Sequence, residues 1–210
     1  MRTYATAQLI GTRETQCDAT AVRAGQDGTR AYVLLDGIGS TRTVRAWTRA
    51  AAVRLARTAV RHRDAETALR SVYDSYAAEP ARDDLYAIQP KAAAVVAVTT
   101  PRKPLSVAWC GDSRAYLLDR GSAIRLTQDH NLRRIYPPTA VYPYGGNRNV
   151  ITSCLGSTDS DEDVAARYGH PAIERTTHEI IDPCRLLLAS DGAYEPHEDA
   201  RPRPLQRTRR

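Results

Sequence analysis

Two Asp-Gly dipeptides each close an apolar run of strand type, at Tyr32-Val-Leu-Leu-Asp36-Gly37 and Leu186-Leu-Leu-Ala-Ser-Asp191-Gly192. Between them lies a third acidic turn, Trp109-Cys-Gly-Asp-Ser-Arg-Ala-Tyr116. Carboxylates held at strand ends beside glycine suit hard divalent cations, which take oxygen ligands and keep bound water. Taken singly, each piece has a plainer reading. Asp-Gly after a strand is an ordinary turn, because Asp tolerates tight geometry and Gly supplies positive φ. Arg13 alone is a surface cation, and Asp112 with Arg114 a local ion pair. Three such turns spread over most of the chain point instead to one site assembled by the whole fold.

The elements that must position these turns can be read from the hydrophobic pattern. Residues 3–10 and 18–24 read as short strands around a turn at 11–18. Ala31 to Leu35 is a buried-type strand ending at Asp36. Two helices follow: Val44, Trp47, Ala51 and Leu55 share one face, and Ala65, Leu69, Val72 and Tyr76 repeat the spacing before Pro80 breaks it. Residues 92–99, 106–110, 115–118 and 124–126 form a second strand-rich region, with a hairpin at Gly121. Residues 131–149 read as a long irregular loop, 159–164 as an acidic stretch, and 185–189 as the last strand. Strands occur in clusters and not in strict alternation with helices, which predicts an α/β fold of the α+β type: largely antiparallel sheets packed as a sandwich and flanked by helices.

The 210 residues suffice for one domain with a sizeable core. The net charge of +6 is not spread evenly. Arg201, Arg203, Arg207, Arg209 and Arg210 supply five of those charges with no acid among residues 201–210, so the body is nearly neutral. That division gives a domain over 1–199 and an Arg/Pro-rich tail over 200–210, and argues against a nucleic-acid groove. Of 30 basic residues only Lys91 and Lys103 are lysines, a bias that fits GC-rich coding and a bacterial source. Cys17, Cys110, Cys154 and Cys184 show no metal-ligand spacing. No segment has the apolar length of a signal peptide or a membrane span, so a reduced, cytoplasmic protein is expected.

The order of motifs carries more than any one of them. Gly11-x-Arg13-x-x-Gln16-Cys-Asp18 is followed by Asp36-Gly-Ile-Gly-Ser40, Gly111-Asp-Ser-Arg-Ala-Tyr116, Leu126-Thr-Gln-Asp-His130, Ile151-Thr-Ser-Cys-Leu-Gly156 and the second Asp-Gly. This series resembles the metal-dependent serine/threonine protein phosphatases, the PPM or type-2C family, in a compact bacterial form. The resemblance implies a β-sandwich with helices outside both sheets (α-β-β-α layers) and two Mn²⁺ or Mg²⁺ ions at one end. It implies that Asp36 and the Gly37 carbonyl bind the metals, that Asp191 ligates the first, and that Asp112 with Asp191 forms a third, weaker site. Arg13 matches the residue that grips the substrate phosphate, and Asp18 one that orients the metal-activated water. The implied activity is hydrolysis of phosphoserine and phosphothreonine in proteins, by a protein expected to be a monomer.

General chemistry agrees. Two nearby cations can activate water and clamp phosphoryl oxygens, and Arg offers a planar fork for phosphate. His130 reads as a general acid or, preferably, as a residue that structures its loop. Two departures from the family pattern stand out. Cys17 occupies a position where the family places an acid or amide. No Gly-x-Asp-Asn follows residue 192, so the C-terminal part is expected to be shortened and one metal ligand missing, with Glu195, Glu198 or Asp199 as substitutes. A phosphatase-like module that binds phosphoprotein or a signalling partner without turnover is therefore the alternative.

Overall fold

The structure is a computed structural model that describes residues 3–82, 88–119, 122–180 and 183–199. Strands β1 (Ala19–Ala24) and β2 (Arg30–Gly37) form a hairpin whose turn holds Gly28 at a φ of 81°. Helices α1 (Arg42–His62) and α2 (Ala65–Ala77) follow. Then come β3 (Ala92–Thr99), β4 (Leu105–Cys110), β5 (Arg114–Asp119) and β6 (Ser122–Arg125). Short α3 (Leu132–Ile135), α4 (Asp161–Tyr168), β7 (Glu174–His178), β8 (Arg185–Ala189) and α5 (Asp191–Asp199) complete the order.

The strands pair antiparallel throughout, in a five-stranded sheet of order β1-β2-β3-β4-β7 and a three-stranded sheet of order β6-β5-β8. The expected fold class of antiparallel sheets flanked by helices is therefore the observed one. Alternation along the strands builds two cores. Leu35, Ala94, Val96 and Ala108 face α1 and α2, where they meet Leu55, Leu69 and Val72. Leu34, Val95, Val107 and Trp109 face the small sheet and meet Ala115, Leu117, Leu186 and Leu188.

The helix boundaries have local causes. The Thr41 hydroxyl caps α1 by accepting from the Val44 N–H, and Arg63 ends it in the left-handed conformation (φ 57°). Asp64 caps α2 by accepting from the Thr67 N–H at 2.8 Å and also accepts from the Ser106 hydroxyl at 3.0 Å, which docks the helix start onto β4. Trp47 and Tyr76 rings, 4.9 Å apart, join the two helices.

Some expectations need correction. Residues 3–10 are not a strand: they lack ladder pairing, and Leu9 is 92% exposed, so their apolar side chains find no sheet to cover them. The acidic stretch after residue 159 is the start of α4, where Ser160 and Asp163 form a reciprocal capping box. β7 carries no apolar signal in the sequence, because Glu-Arg-Thr-Thr-His is polar; it is an edge strand whose residues alternate between half-buried and exposed. The 131–149 loop is irregular as expected apart from α3. The Gly121 hairpin tip and the 200–210 tail lie outside the described residues. Among the described residues no helix is long and apolar enough to cross a membrane.

Candidate functional site

Sheet register brings the separate motifs to one end of the sandwich. Ala19 pairs with Leu35, so Asp18, one residue before β1, lies opposite Asp36. Asp36 pairs with Ala93, and Ala94 with Cys110, so the next step along β4 sets Gly111 beside Ala93. One row across the large sheet thus runs Asp18, Asp36, Ala93, Gly111, with Asp112 next in the chain. Asp36 shares the face of Leu34, so its carboxyl enters the gap between the two sheets. From the other sheet Ala189, paired with Arg114, delivers Asp191 at the first position of α5.

The glycines permit this crowding. Gly111 has a φ of 102°, and a Cβ there would stand 2.4 Å from the Ala93 Cβ. At Gly37 a Cβ would stand 2.7 Å from the Cys17 carbonyl oxygen and 2.8 Å from the Thr48 hydroxyl. Both turns therefore need a residue without a side chain.

The electrostatics show a concentration of negative charge short of compensation. Burial, then the charges of Asp18 and Asp191, push the Asp36 carboxyl up to about 9, and it shares a hydrogen bond with Asp18. Burial, then Asp191 and Asp129, raise Asp112 to about 7. The Ser190 hydroxyl donates to Asp18 at 3.2 Å. Such a set of oxygens fits a hard divalent cation, whose charge would relieve the repulsion. No three His, Cys, Asp or Glu side chains among the described residues are drawn together as a closed chelating set, so the carboxylates are gathered but not preassembled.

The remaining candidates sort clearly. Arg13 is exposed on the coil before β1, with its charge felt at Cys17. Cys17 is buried and its thiol is pushed up by burial, so it offers no thiolate. Cys17, Cys110 and Cys154 are buried free thiols. His130 is fully buried with both ring nitrogens engaged: Nδ1 faces the Gly111 N–H at 3.5 Å and Nε2 the Glu174 carboxylate at 3.0 Å. It stacks on His170 at 4.2 Å, which is a structural role and not that of a general acid.

Arg114 does not pair with Asp112. It grips Asp129 through two hydrogen bonds of 2.9 and 2.7 Å and Glu198 at 2.5 Å. Glu195 and Asp199 both pair with Arg148 at 2.8 Å. The acids that sequence reasoning offered as substitute ligands are thus engaged by arginines. Sequence reasoning missed Arg148, Tyr194 and Glu174, whose partners lie 40 to 82 residues away in the chain and leave no local pattern.

A family model described as protein phosphatase 2C matches residues 14–135, more than half of the chain. The chain belongs to the protein phosphatase 2C family. Within that family, it is 36% identical over 111 residues to "Probable protein phosphatase 2C 78" of Arabidopsis thaliana, a match covering 49% of this chain and 26% of that protein. It is 35% identical over 109 residues to "Probable protein phosphatase 2C 24" of the same plant, covering 49% of this chain and 30% of that one. The matched region is thus less than a third of these curated relatives' length. Among solved structures, the serine/threonine phosphatase Stp1 of Staphylococcus aureus aligns with a TM-score of 0.62 at 18% identity, over 88% of this chain and 74% of that one. A Caenorhabditis elegans sex-determining protein aligns with a TM-score of 0.64 at 19% identity, over 90% and 51%. These two likenesses show the shared 2C fold.

Proposed function

We propose that this 2C-family chain hydrolyses phosphoserine and phosphothreonine in proteins with Mn²⁺ or Mg²⁺ as cofactor. The observation that carries this reading is the convergence of Asp18, Asp36, Asp112 and Asp191, drawn from four separate segments onto one end of the sandwich. Asp36, the Gly37 carbonyl, Asp112 and Asp191 would hold the cations. The ions, when bound, supply Lewis acidity toward phosphoryl oxygens and lower the pKa of water.

This chain's own residues do the rest. Arg13, exposed on its coil beside the cluster, offers its guanidinium fork to the substrate phosphate. Asp18, held by the Ser190 hydroxyl and set opposite Asp36 by the β1–β2 register, accepts a hydrogen bond from the attacking water and orients it. Asp112 is buried and Asp36 half-buried, which limits the access of bulk water to the carboxylates. No side-chain nucleophile takes part, in keeping with the buried thiol of Cys17 and the fully engaged His130.

A second reading draws on Glu195, Glu198 and Asp199. Each is committed to Arg114 or Arg148, so none adds to the cation ligands. On that reading the chain is a phosphatase-like module that binds phosphoprotein without turnover.

Hydrolysis of an aryl phosphate and of a phosphothreonine peptide, assayed with Mn²⁺, separates the two. Turnover is expected, and D36N is expected to lower it by about 100-fold or more. Absence of turnover, together with phosphopeptide binding that survives D36N and D191N, would instead establish the module.

A further inference from the structure

Helix α5 places Asp191 at its first position, yet its backbone is a weak strut, because Pro196 in its middle removes one helical hydrogen bond. Side chains farther along the helix supply the missing restraint. The Tyr194 hydroxyl donates to the Asp112 carbonyl at 3.0 Å, tying the turn after β4 of the large sheet to the helix after β8 of the small one. The Arg114 guanidinium lies 3.5 Å from the Tyr194 ring centroid and donates to Glu198 at 2.5 Å. Arg114 is itself fixed: it is buried, grips Asp129 through two nitrogens and donates to the Tyr116 hydroxyl at 3.1 Å.

We infer that Arg114 is a positioning residue which, through Tyr194 and Glu198, latches α5 so that Asp191 is held against Asp112 in the geometry needed to share a cation. The inference rests on the reading of these carboxylates as a cation site. Arg114 sits two residues after Asp112 on a rigid strand, so one planar cation references both carboxylates to the same part of the sandwich. Its stacking over Tyr194 fixes the ring, and the ring fixes the hydroxyl bonded to Asp112. Glu198, seven positions beyond Asp191, then prevents the helix from pivoting about that one bond. No part of this latch donates an atom to the cation. It acts as outer-shell support does elsewhere, by restricting where the ligands can stand.

Binding of Mn²⁺ alone to the full chain, followed by calorimetric titration, tests the latch without any activity measurement. Y194F removes one hydroxyl without changing charge. E198Q removes one half-exposed carboxylate far from the ligands. Each is expected to weaken Mn²⁺ binding by about 10-fold. The double variant should be little worse than either single one, because both act through one device. E66Q, which deletes the same charge from the ion pairs at the start of α2, should leave binding unchanged and so controls for net charge. Thermal melts of the metal-free variants check that each is folded. Binding by Y194F and E198Q within about twofold of wild type would overturn the latch while leaving the cation reading standing. Failure of the wild-type chain itself to bind Mn²⁺ would overturn the cation reading, and the latch with it.

Discussion

At the scale of single residues, the site depends on side chains that are absent as much as on those present. Ala93 lies between Asp36 and Gly111 in the row across the large sheet, and any larger residue at 93 or 111 would separate the acidic turns. Gly111→Ala meets two penalties at once. A left-handed φ of 102° disfavours an L side chain, and the new Cβ would stand 2.4 Å from that of Ala93. A loss of about 3 kcal/mol of stability is expected from the combined strain and overpacking, measurable as a drop in the urea midpoint. Gly192, at the other acidic turn, has nothing within 4 Å of a built Cβ. Gly192→Ala should therefore cost far less, which makes the pair an internal comparison.

At the scale of elements, caps and hydrogen-bonded ends decide where helices begin, and the sequence carried some of these signals more openly than others. The Ala-rich α1 and α2 were legible from their apolar spacing. α4 was hidden, because eight residues with Val164 as the one buried side chain give almost no periodicity. Its start is set by Ser160 and Asp163, which satisfy each other's backbone N–H groups, and by Asp161, which accepts from the Ala172 N–H at 2.9 Å and from Arg70 at 2.7 Å. Ser160→Ala removes half of the capping box and should cost about 1 kcal/mol. The loss should appear in chemical denaturation, with Mn²⁺ affinity unchanged, since α4 packs on the helical side of the large sheet and away from the acidic turns.

At the scale of the whole molecule, a buried polar network links parts of the chain that share no regular element. Glu174 of β7 accepts from Arg134 through two bonds of 2.7 and 2.9 Å and faces His130, which in turn stacks on His170. Burial opposes ionisation of Glu174, but the Arg134 and His130 hydrogen bonds prevail and hold it down at about 2, against 4.5 unperturbed. Burial, then the neighbouring His130, lower His170 from 6.5 to about 4. Both folded values are depressed, so both groups bind protons more readily in the unfolded chain and both contributions are lost on acidification. The His170 contribution fades between pH 6.5 and 4, and that of Glu174 between 4.5 and 2. Asp36 and Asp112, held up at about 9 and about 7, act in the opposite sense as pH falls, so each contribution is read as the difference in urea midpoint between a variant and wild type. His170→Gln should lose less stability than wild type between pH 6.5 and 4, and Glu174→Gln less between 4.5 and 2.

The sequence by itself determined the fold class, both amphipathic helices, the strands that flank the acidic turns, and the turns themselves. Those features are local: period, punctuation and residue type write them directly into short stretches of chain. The tertiary structure alone decided which carboxylates meet. Strand register aligned Asp18, Asp36 and Gly111 in one row, and sandwich packing brought Asp191 in from the other sheet. It also decided that Arg114 serves Asp129, Tyr194 and Glu198 in place of its sequence neighbour Asp112, and that Glu195, Glu198 and Asp199 of α5 are spent on arginines. A side chain's partner depends on where distant strands stop and how they pair, and no spacing along the chain encodes that.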